Sequence, residues 1–173
     1  MRNTKVLFIT QAAVIAALYV VLTLLANALG LANQAVQVRF SEALTILPYF
    51  TPAAIPGLFL GCILSNTLTG CMFLDTVFGS LATLIGAVLT YLIAKKVKNP
   101  VAKWLCPIPP IVANMIIVPQ VLMHVYEAPG TLLFFTLTVG AGEIISCYVL
   151  GMILLFVFEP RKNAIFRQND VVA

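Results

Sequence analysis

The sequence predicts an all-α integral membrane protein of six transmembrane helices, the second short or broken, with both termini cytoplasmic. Apolar residues make up 61% of the chain and charged residues 9%, against roughly 45–50% and about 25% in soluble domains. Mean hydropathy is +1.05. Apolar runs long enough to span a bilayer alternate with short basic clusters, as in multi-pass proteins of the cell membrane. We expect one domain over residues 1–173.

The apolar runs set the expected helices. The first run is uncharged from residue 6 to residue 38, longer than a signal-peptide core, and is therefore interpreted as a retained span. The next apolar region is too long for one span and is interrupted by three prolines, so we divide it in two. The predicted helices are 6–29, 42–50, 53–68, 75–94, 109–126 and 130–158.

Three basic clusters predict the orientation of the chain: Arg2 with Lys5, residues 95–103, and residues 161–167. Basic loops favour the cytoplasmic side, so an even number of spans must separate neighbouring clusters. Six helices satisfy this condition. The loops before Glu42 and Asp75, and the loop after the fifth helix, are then expected on the extracellular side.

Glu143 is the foremost functional candidate, because it lies in VGAGEIISCYVLG within a span otherwise free of charge. A carboxylate at that depth costs at least ~2–3 kcal/mol, which usually indicates a functional site. The alternative is a protonated glutamate hydrogen-bonded to a neighbouring helix. The small residues 140–142 would allow another helix or a flat ligand to approach closely.

Other polar residues accompany Glu143 as candidate ligand contacts. Arg39 and Glu42 lead into the proline-interrupted region, although they are also compatible with a simple ion pair. Asp75 suits a ligand contact or an N-terminal helix charge. Asn66 and Asn114 bridge helices or face a polar cavity. The set suits a small, flat, cationic ligand that would stack on nearby rings; those rings are Tyr49, Phe50, Phe78, Tyr126 and Tyr148.

Motif absences narrow the function. There is no P-loop, no H-E-x-x-H and no G-x-S-x-G, so we expect no nucleotide hydrolysis, no catalytic residue and no enzyme activity. Four scattered cysteines and one histidine predict no metal centre and no cofactor. The basic residues are loop charges, so no nucleic-acid partner is expected.

The first helix carries two interlaced pairs of small residues. The pairs form one flat face suited to close contact with another helix, and internal packing is the alternative interpretation. The residues are Ala12, Ala13, Ala16 and Ala17.

Four stretches together resemble the QueT family, the substrate-binding S-components of energy-coupling-factor (ECF) transporters associated with queuosine precursors. They are VQVRFSEALTILPYFTPAAIPGLFLGC, LDTVFGSLATLIGAVLTYL, PPIVANMIIVPQVL and TVGAGEIISCYVLG. The resemblance implies a six-helix fold that binds ligand near the extracellular face. It implies a transmembrane coupling subunit and two cytoplasmic ATPases as partners. It also implies docking through Ala12/Ala16 or Ala13/Ala17, and a subunit that topples in the membrane during transport.

The ligand implied by the resemblance is a deazaguanine base, either the aminomethyl precursor or queuine. Under this hypothesis one carboxylate, preferably Glu143, accepts the guanidine-like edge, and Glu42 or Asp75 faces the amine. The base carbonyl would be met by Arg39, Asn66 or Asn114.

Three alternatives stay open at the sequence level. An S-component for another vitamin-like ligand would bind riboflavin, thiamine or biotin instead. A small membrane enzyme using Glu143 and Asp75 as acid and base would turn over a lipid or quinone by itself. A purely structural subunit would lack a polar cavity.

Overall fold

The computed structural model describes residues 4–31, 37–97 and 100–166, and within these ranges the chain is helical and contains no strand. The predicted all-α class with six principal helices is confirmed. They are α1 (Thr4–Ala28), a 3-10 helix (Phe40–Tyr49), α2 (Ala54–Leu68), α3 (Phe73–Lys96), α5 (Ile108–His124), and a last helix composed of α6 (Leu132–Glu143), a π-helix (Ile144–Leu150) and α7 (Gly151–Phe158). Short helices are α4 (Val101–Leu105), a 3-10 turn (Glu159–Arg161) and α8 (Lys162–Ile165).

Four helical stretches of the described chain are long and apolar enough to cross a membrane: Thr4–Ala28, Phe73–Lys96, Val101–His124 and Leu132–Ile165. The 15 residues of α2 extend roughly 22 Å at about 1.5 Å per residue. The 10 residues of the 3-10 helix extend roughly 20 Å at about 2.0 Å per residue. Both are shorter than the roughly 30 Å hydrocarbon core. The second helix is therefore short, as predicted.

The 3-10 helix forms the core of the bundle. All residues from Ser41 to Pro48 are buried, and α1, α2, α3, the π-helix and α7 surround them. The sequence predicted a helix at 42–50 without its 3-10 character. Pro48 lacks an N–H donor and disfavours a regular α-helix there, while the Thr45 hydroxyl donates to the Glu42 carbonyl at 2.6 Å.

One end of the bundle, here called the basic end, holds Lys103 of α4 and the start of α1. Lys103 Nζ is 2.5 Å from Glu159 Oε1, which joins α4 to the end of the last helix. The Gln11 amide donates to the Ile165 carbonyl at 3.5 Å, so the start of α1 lies at the same end. Three residues of the predicted basic clusters lie outside the described residues, namely Arg2, Lys98 and Arg167.

The contact between α1 and α2 includes one alanine pair and leaves the other pair exposed. A Cβ added at Gly57 would lie 2.7 Å from the Ala12 carbonyl oxygen, and one at Gly61 would lie 3.1 Å from Ala16 Cα. Ala12 and Ala16 thus face α2, which is the internal-packing alternative. The outward-facing, exposed pair is Ala13 and Ala17.

Candidate ligand-binding site

A narrow cleft opens between α2, α3, α5, α6 and the chain leading into the 3-10 helix. The cleft and the open space at its mouth together measure about 430 Å³ free of protein atoms. Five of the six predicted ligand contacts line it; Asn66 does not. The lining residues are Gln37, Arg39, Glu42, Cys62, Asp75, Gly79, Thr83, Asn114, Val118, Val139 and Glu143.

Close backbone packing joins the chain before the 3-10 helix to α6, on the opposite side of the cleft. The extended chain at Gln37 crosses α6 at Gly142, where an added Cβ would lie 2.0 Å from the Gln37 carbonyl oxygen. Two residues later the Arg39 amide donates to Ser146 Oγ at 3.2 Å. Ser146 belongs to the π-helix that begins directly after Glu143. π-Helices frequently occur at functional sites, and this one interrupts the continuous helix predicted at 130–158.

Glu42 has a carboxylate oxygen without a partner. The side chain is 3% exposed, and its Oε1 accepts a hydrogen bond from the Tyr19 hydroxyl. Its Oε2 is buried and has no hydrogen-bond partner among the described residues. A buried polar atom left unpaired costs ~1–3 kcal/mol. Because Glu42 lines the cleft, a bound ligand could supply the missing donor.

Glu143 lies beside Glu42. It is 8% exposed, its Oε2 accepts from the Cys147 thiol at 3.1 Å, and the Asn114 amide also contacts its carboxylate. One carboxylate oxygen of Glu42, one of Glu143 and Cys147 Sγ all lie within 4.8 Å of one another. The prediction of no metal centre rested on cysteine and histidine spacing, and it did not consider these three groups together.

Arg39 and Glu42 do not form the ion pair considered as an alternative from the sequence. Within the described part of the chain, no contact of 4.0 Å or less joins their charged groups. The guanidinium instead lies in the combined field of Asp75 and Glu42. Three carboxylates and one guanidinium line the cleft, so its formal charge is −2 when all are ionised. The cleft therefore favours a cationic or donor-rich ligand.

Asp75 holds the loop after α5 against the start of α3. The Tyr126 hydroxyl donates to Asp75 Oδ2 at 2.8 Å and accepts from the Met72 amide at 3.1 Å. Burial, together with the hydrogen bond to Asp75, raises the pKa of Tyr126 to about 12, so the phenol stays protonated at neutral pH. Asp75 lies in the first turn of α3, but no side chain caps that helix.

Comparison with known proteins identifies the family. The model of the QueT transporter family matches residues 9–160, which is most of the chain. The chain belongs to the QueT transporter family. A relative, the queuosine precursor transporter QueT of Lactococcus lactis subsp. cremoris (strain MG1363), is 32% identical over 99 residues. The match covers 57% of this chain and 58% of the relative, less than two thirds of its length. No solved structure matches the chain.

Membership of the QueT family confirms the resemblance predicted from the sequence. It assigns the chain to a family of transport proteins rather than of enzymes, as predicted. Together with the four long apolar helices, it assigns the chain to a membrane.

Asn66 was predicted as a ligand contact, but it does not line the cleft of this QueT family member. A Cβ added at Gly79 would lie 3.3 Å from Asn66 Nδ2, so the amide lies behind the wall that Gly79 forms. Asn66 Nδ2 also donates to Cys62 Sγ at 3.7 Å. Its position therefore supports the cleft without lining it.

Some lining residues were missed from the sequence. Asp75, Gly79 and Thr83 follow one another at intervals of four residues, which places them on one face of α3. That spacing could have identified Gly79 and Thr83 once Asp75 was a candidate. Cys62 was considered from the sequence as a possible metal ligand and set aside, and Gln37 carried no signal beyond its position before Arg39.

The aromatic rings expected beside the ligand do not line the cleft. None of the lining residues within the described chain is aromatic. Phe50 stacks on Phe166 at 5.0 Å between ring centroids and meets Phe158 edge-on, at the basic end of the bundle. Val118 and Val139 form the apolar surfaces of the cleft instead.

Proposed function

We propose that this chain is the substrate-binding membrane subunit of an ECF-type importer and that its ligand is a queuosine precursor, a deazaguanine base. Family membership supports transport, and the relative's name supports the class of ligand. The observation that carries the proposal is the buried pair Glu42 and Glu143 beside the cleft, with one carboxylate oxygen unpartnered.

A deazaguanine base is chemically complementary to this cleft. Its pairing edge presents adjacent N–H donors, which carboxylates accept in strong charge-assisted bonds. Its carbonyl group needs a donor, and Arg39 or the Asn114 amide supplies one. Its flat faces contact Val118 and Val139 in place of the rings that the sequence suggested.

The energy for import must come from partners, because the sequence has no nucleotide-binding P-loop. We propose a transmembrane coupling subunit and two cytoplasmic ATPases as those partners. Ala13 and Ala17 are exposed on α1 and provide a flat surface for close helix contact. The basic end of the bundle would face the cytoplasm, so that the cleft receives ligand from outside before the subunit topples.

Binding to the purified chain tests the proposal. In detergent or nanodiscs without nucleotide, isothermal titration should give saturable one-to-one binding of the aminomethyl base or queuine. Glu143→Gln should weaken binding by about 10- to 100-fold, since a lost charged hydrogen bond costs ~1.5–3 kcal/mol. Glu127→Gln is the matched control, because Glu127 is an exposed carboxylate outside the cleft.

The outcomes separate the class of protein from its ligand. Binding of riboflavin, thiamine or biotin in place of deazaguanines would refute the ligand and keep the importer class. Turnover of a lipid or quinone by the chain alone would refute a pure binding subunit. Equal affinities of the Glu143 and Glu127 variants would show that the ligand binds elsewhere.

A further inference from the structure

We propose that Glu42 and Glu143, here called the carboxylate pair, together bind one cationic nitrogen, the primary ammonium group of the ligand. The carboxylate pair would therefore select a deazaguanine with an aminomethyl side chain over neutral bases with the same ring. This inference rests on the proposed function. It differs from the expectation that Glu143 accepts the guanidine-like edge of the base.

The spacing of the carboxylate pair suits a single nitrogen. Charge-assisted N–H···O bonds are about 2.8 Å long. Two such bonds from a tetrahedral nitrogen reach acceptors about 4.6 Å apart. One carboxylate oxygen of Glu42 and one of Glu143 lie no more than 4.8 Å apart, a span that one ammonium group between them can bridge.

The hydrogen bonds already present leave room for these acceptors. Glu42 Oε1 accepts from the Tyr19 hydroxyl, which fixes the carboxylate and leaves the buried Oε2 without a partner in the described chain. Glu143 Oε2 accepts from Cys147 and the Asn114 amide also contacts this carboxylate, so the second carboxylate is held in position as well. Both groups are thus held in position by protein donors before the ligand arrives, an arrangement that favours affinity.

Electrostatics favours an ammonium group over a neutral amine. Two buried carboxylates this close repel each other, and a cation between them removes that repulsion. Arg39 compensates this charge only at longer range, because within the described residues it forms no ion pair of 4.0 Å or less with Glu42 or Glu143. Cys147 is a neutral donor to Glu143. A neutral base would leave the compensation of this charge to the more distant Arg39.

The decisive comparison uses wild-type protein and three bases that differ in one substituent: aminomethyl, methyl and nitrile. Titration calorimetry should give at least about 30-fold tighter binding of the aminomethyl base than of either neutral base, since close buried charge pairs have large coupling energies. No variant is needed, so a folding defect cannot obscure this result.

Variants then locate the effect. Glu42→Gln should weaken the aminomethyl base by at least about 10-fold and change the methyl base by less than about threefold, so the selectivity collapses. Glu143→Gln should act in the same direction. Glu127→Gln is the matched control, because this exposed carboxylate lies outside the cleft and should leave the ratio between the two bases unchanged.

Each contrary result has a distinct meaning. Equal binding of all three bases would overturn the ammonium site and leave the deazaguanine function intact. Binding of none of them would overturn the proposed function itself. Tight binding of Zn²⁺ or Mn²⁺ that Glu42→Gln abolishes, with base affinity unaffected by chelator, would show that the carboxylate pair and Cys147 form a metal site instead.

Discussion

Replacing Gly142 by alanine should damage the ligand site without removing any polar group from it. The added Cβ would lie 2.0 Å from the Gln37 carbonyl oxygen and 3.0 Å from its carbonyl carbon. Carbon–oxygen contacts in proteins are rarely shorter than about 3.3 Å. The extended chain at Gln37 must therefore move by more than about 1 Å, and it would carry Arg39 and Glu42 away from Glu143.

The expected magnitude follows from the cost of overpacking, typically ~1–3 kcal/mol. If that cost is taken mainly from the free energy of ligand binding, affinity falls by about 5- to 150-fold. Gly140→Ala is the matched control two residues earlier on the same helix. Its Cβ would meet only the end of the Met115 side chain, at 2.9 Å from Cε, and that flexible thioether can rotate away.

Titration of the aminomethyl base into both variants, alongside their thermal unfolding, gives the measurement. Gly140→Ala should bind within about threefold of wild type, since methionine repacks readily. Wild-type affinity in Gly142→Ala would refute the inference that the Gln37 crossing positions the site. Equal losses in both variants would show that α6 is merely intolerant of added volume.

Three further predictions concern the supporting contacts. Tyr126→Phe removes the hydrogen bond to Asp75 that ties the loop after α5 to α3. It should lower the melting temperature, because a hydrogen bond to a charged group is worth ~1.5–3 kcal/mol. An unchanged melting temperature would show that this hydrogen bond does not stabilise the fold. Tyr19→Phe removes the donor that fixes Glu42 and should weaken the aminomethyl base by about 10-fold, measured by titration; unchanged affinity would contradict that role. Ala17→Leu should abolish co-purification with the coupling subunit and leave ligand binding intact. Ala16→Leu should instead disturb the packing of α1 on α2 and reduce both co-purification and ligand binding. If Ala17→Leu still co-purifies, the docking surface lies elsewhere.

The sequence predicted those parts of the fold that depend on the bilayer. A roughly 30 Å hydrocarbon layer sets the length of apolar runs, so helices such as α1 and α3 could be recognised without tertiary information. Glu143 was identifiable for the same reason, since a charge within an apolar span has a cost that function must offset. The 3-10 conformation of Phe40–Tyr49 was not predicted, because Pro48 indicates only an interrupted helix and the contacts that bury residues 41–48 come from distant parts of the chain.

The separation of the alanine pairs shows a further limit of sequence analysis. Both pairs have the same spacing on α1, and that spacing does not reveal which face meets a neighbouring helix. Gly57 and Gly61 on α2 repeat it, and together they form the complementary surface for Ala12 and Ala16. The glycine pair was the missing signal, although only the helix pairing assigns it to α1.

The two irregular helices account for the position of the carboxylate pair. Non-helical or strained backbone at membrane depth is tolerated only inside protein or against a cavity, and both the 3-10 helix and the π-helix contribute buried residues to the bundle. The wider π turn brings successive side chains closer in direction than an α-helix does. Ser146 therefore accepts from the Arg39 amide, while Cys147 donates to Glu143 and lies 3.6 Å from the Glu42 carbonyl. One π turn thus fixes the Glu143 carboxylate and contacts the backbone at Arg39 and at Glu42, while Tyr19 fixes the Glu42 carboxylate from α1.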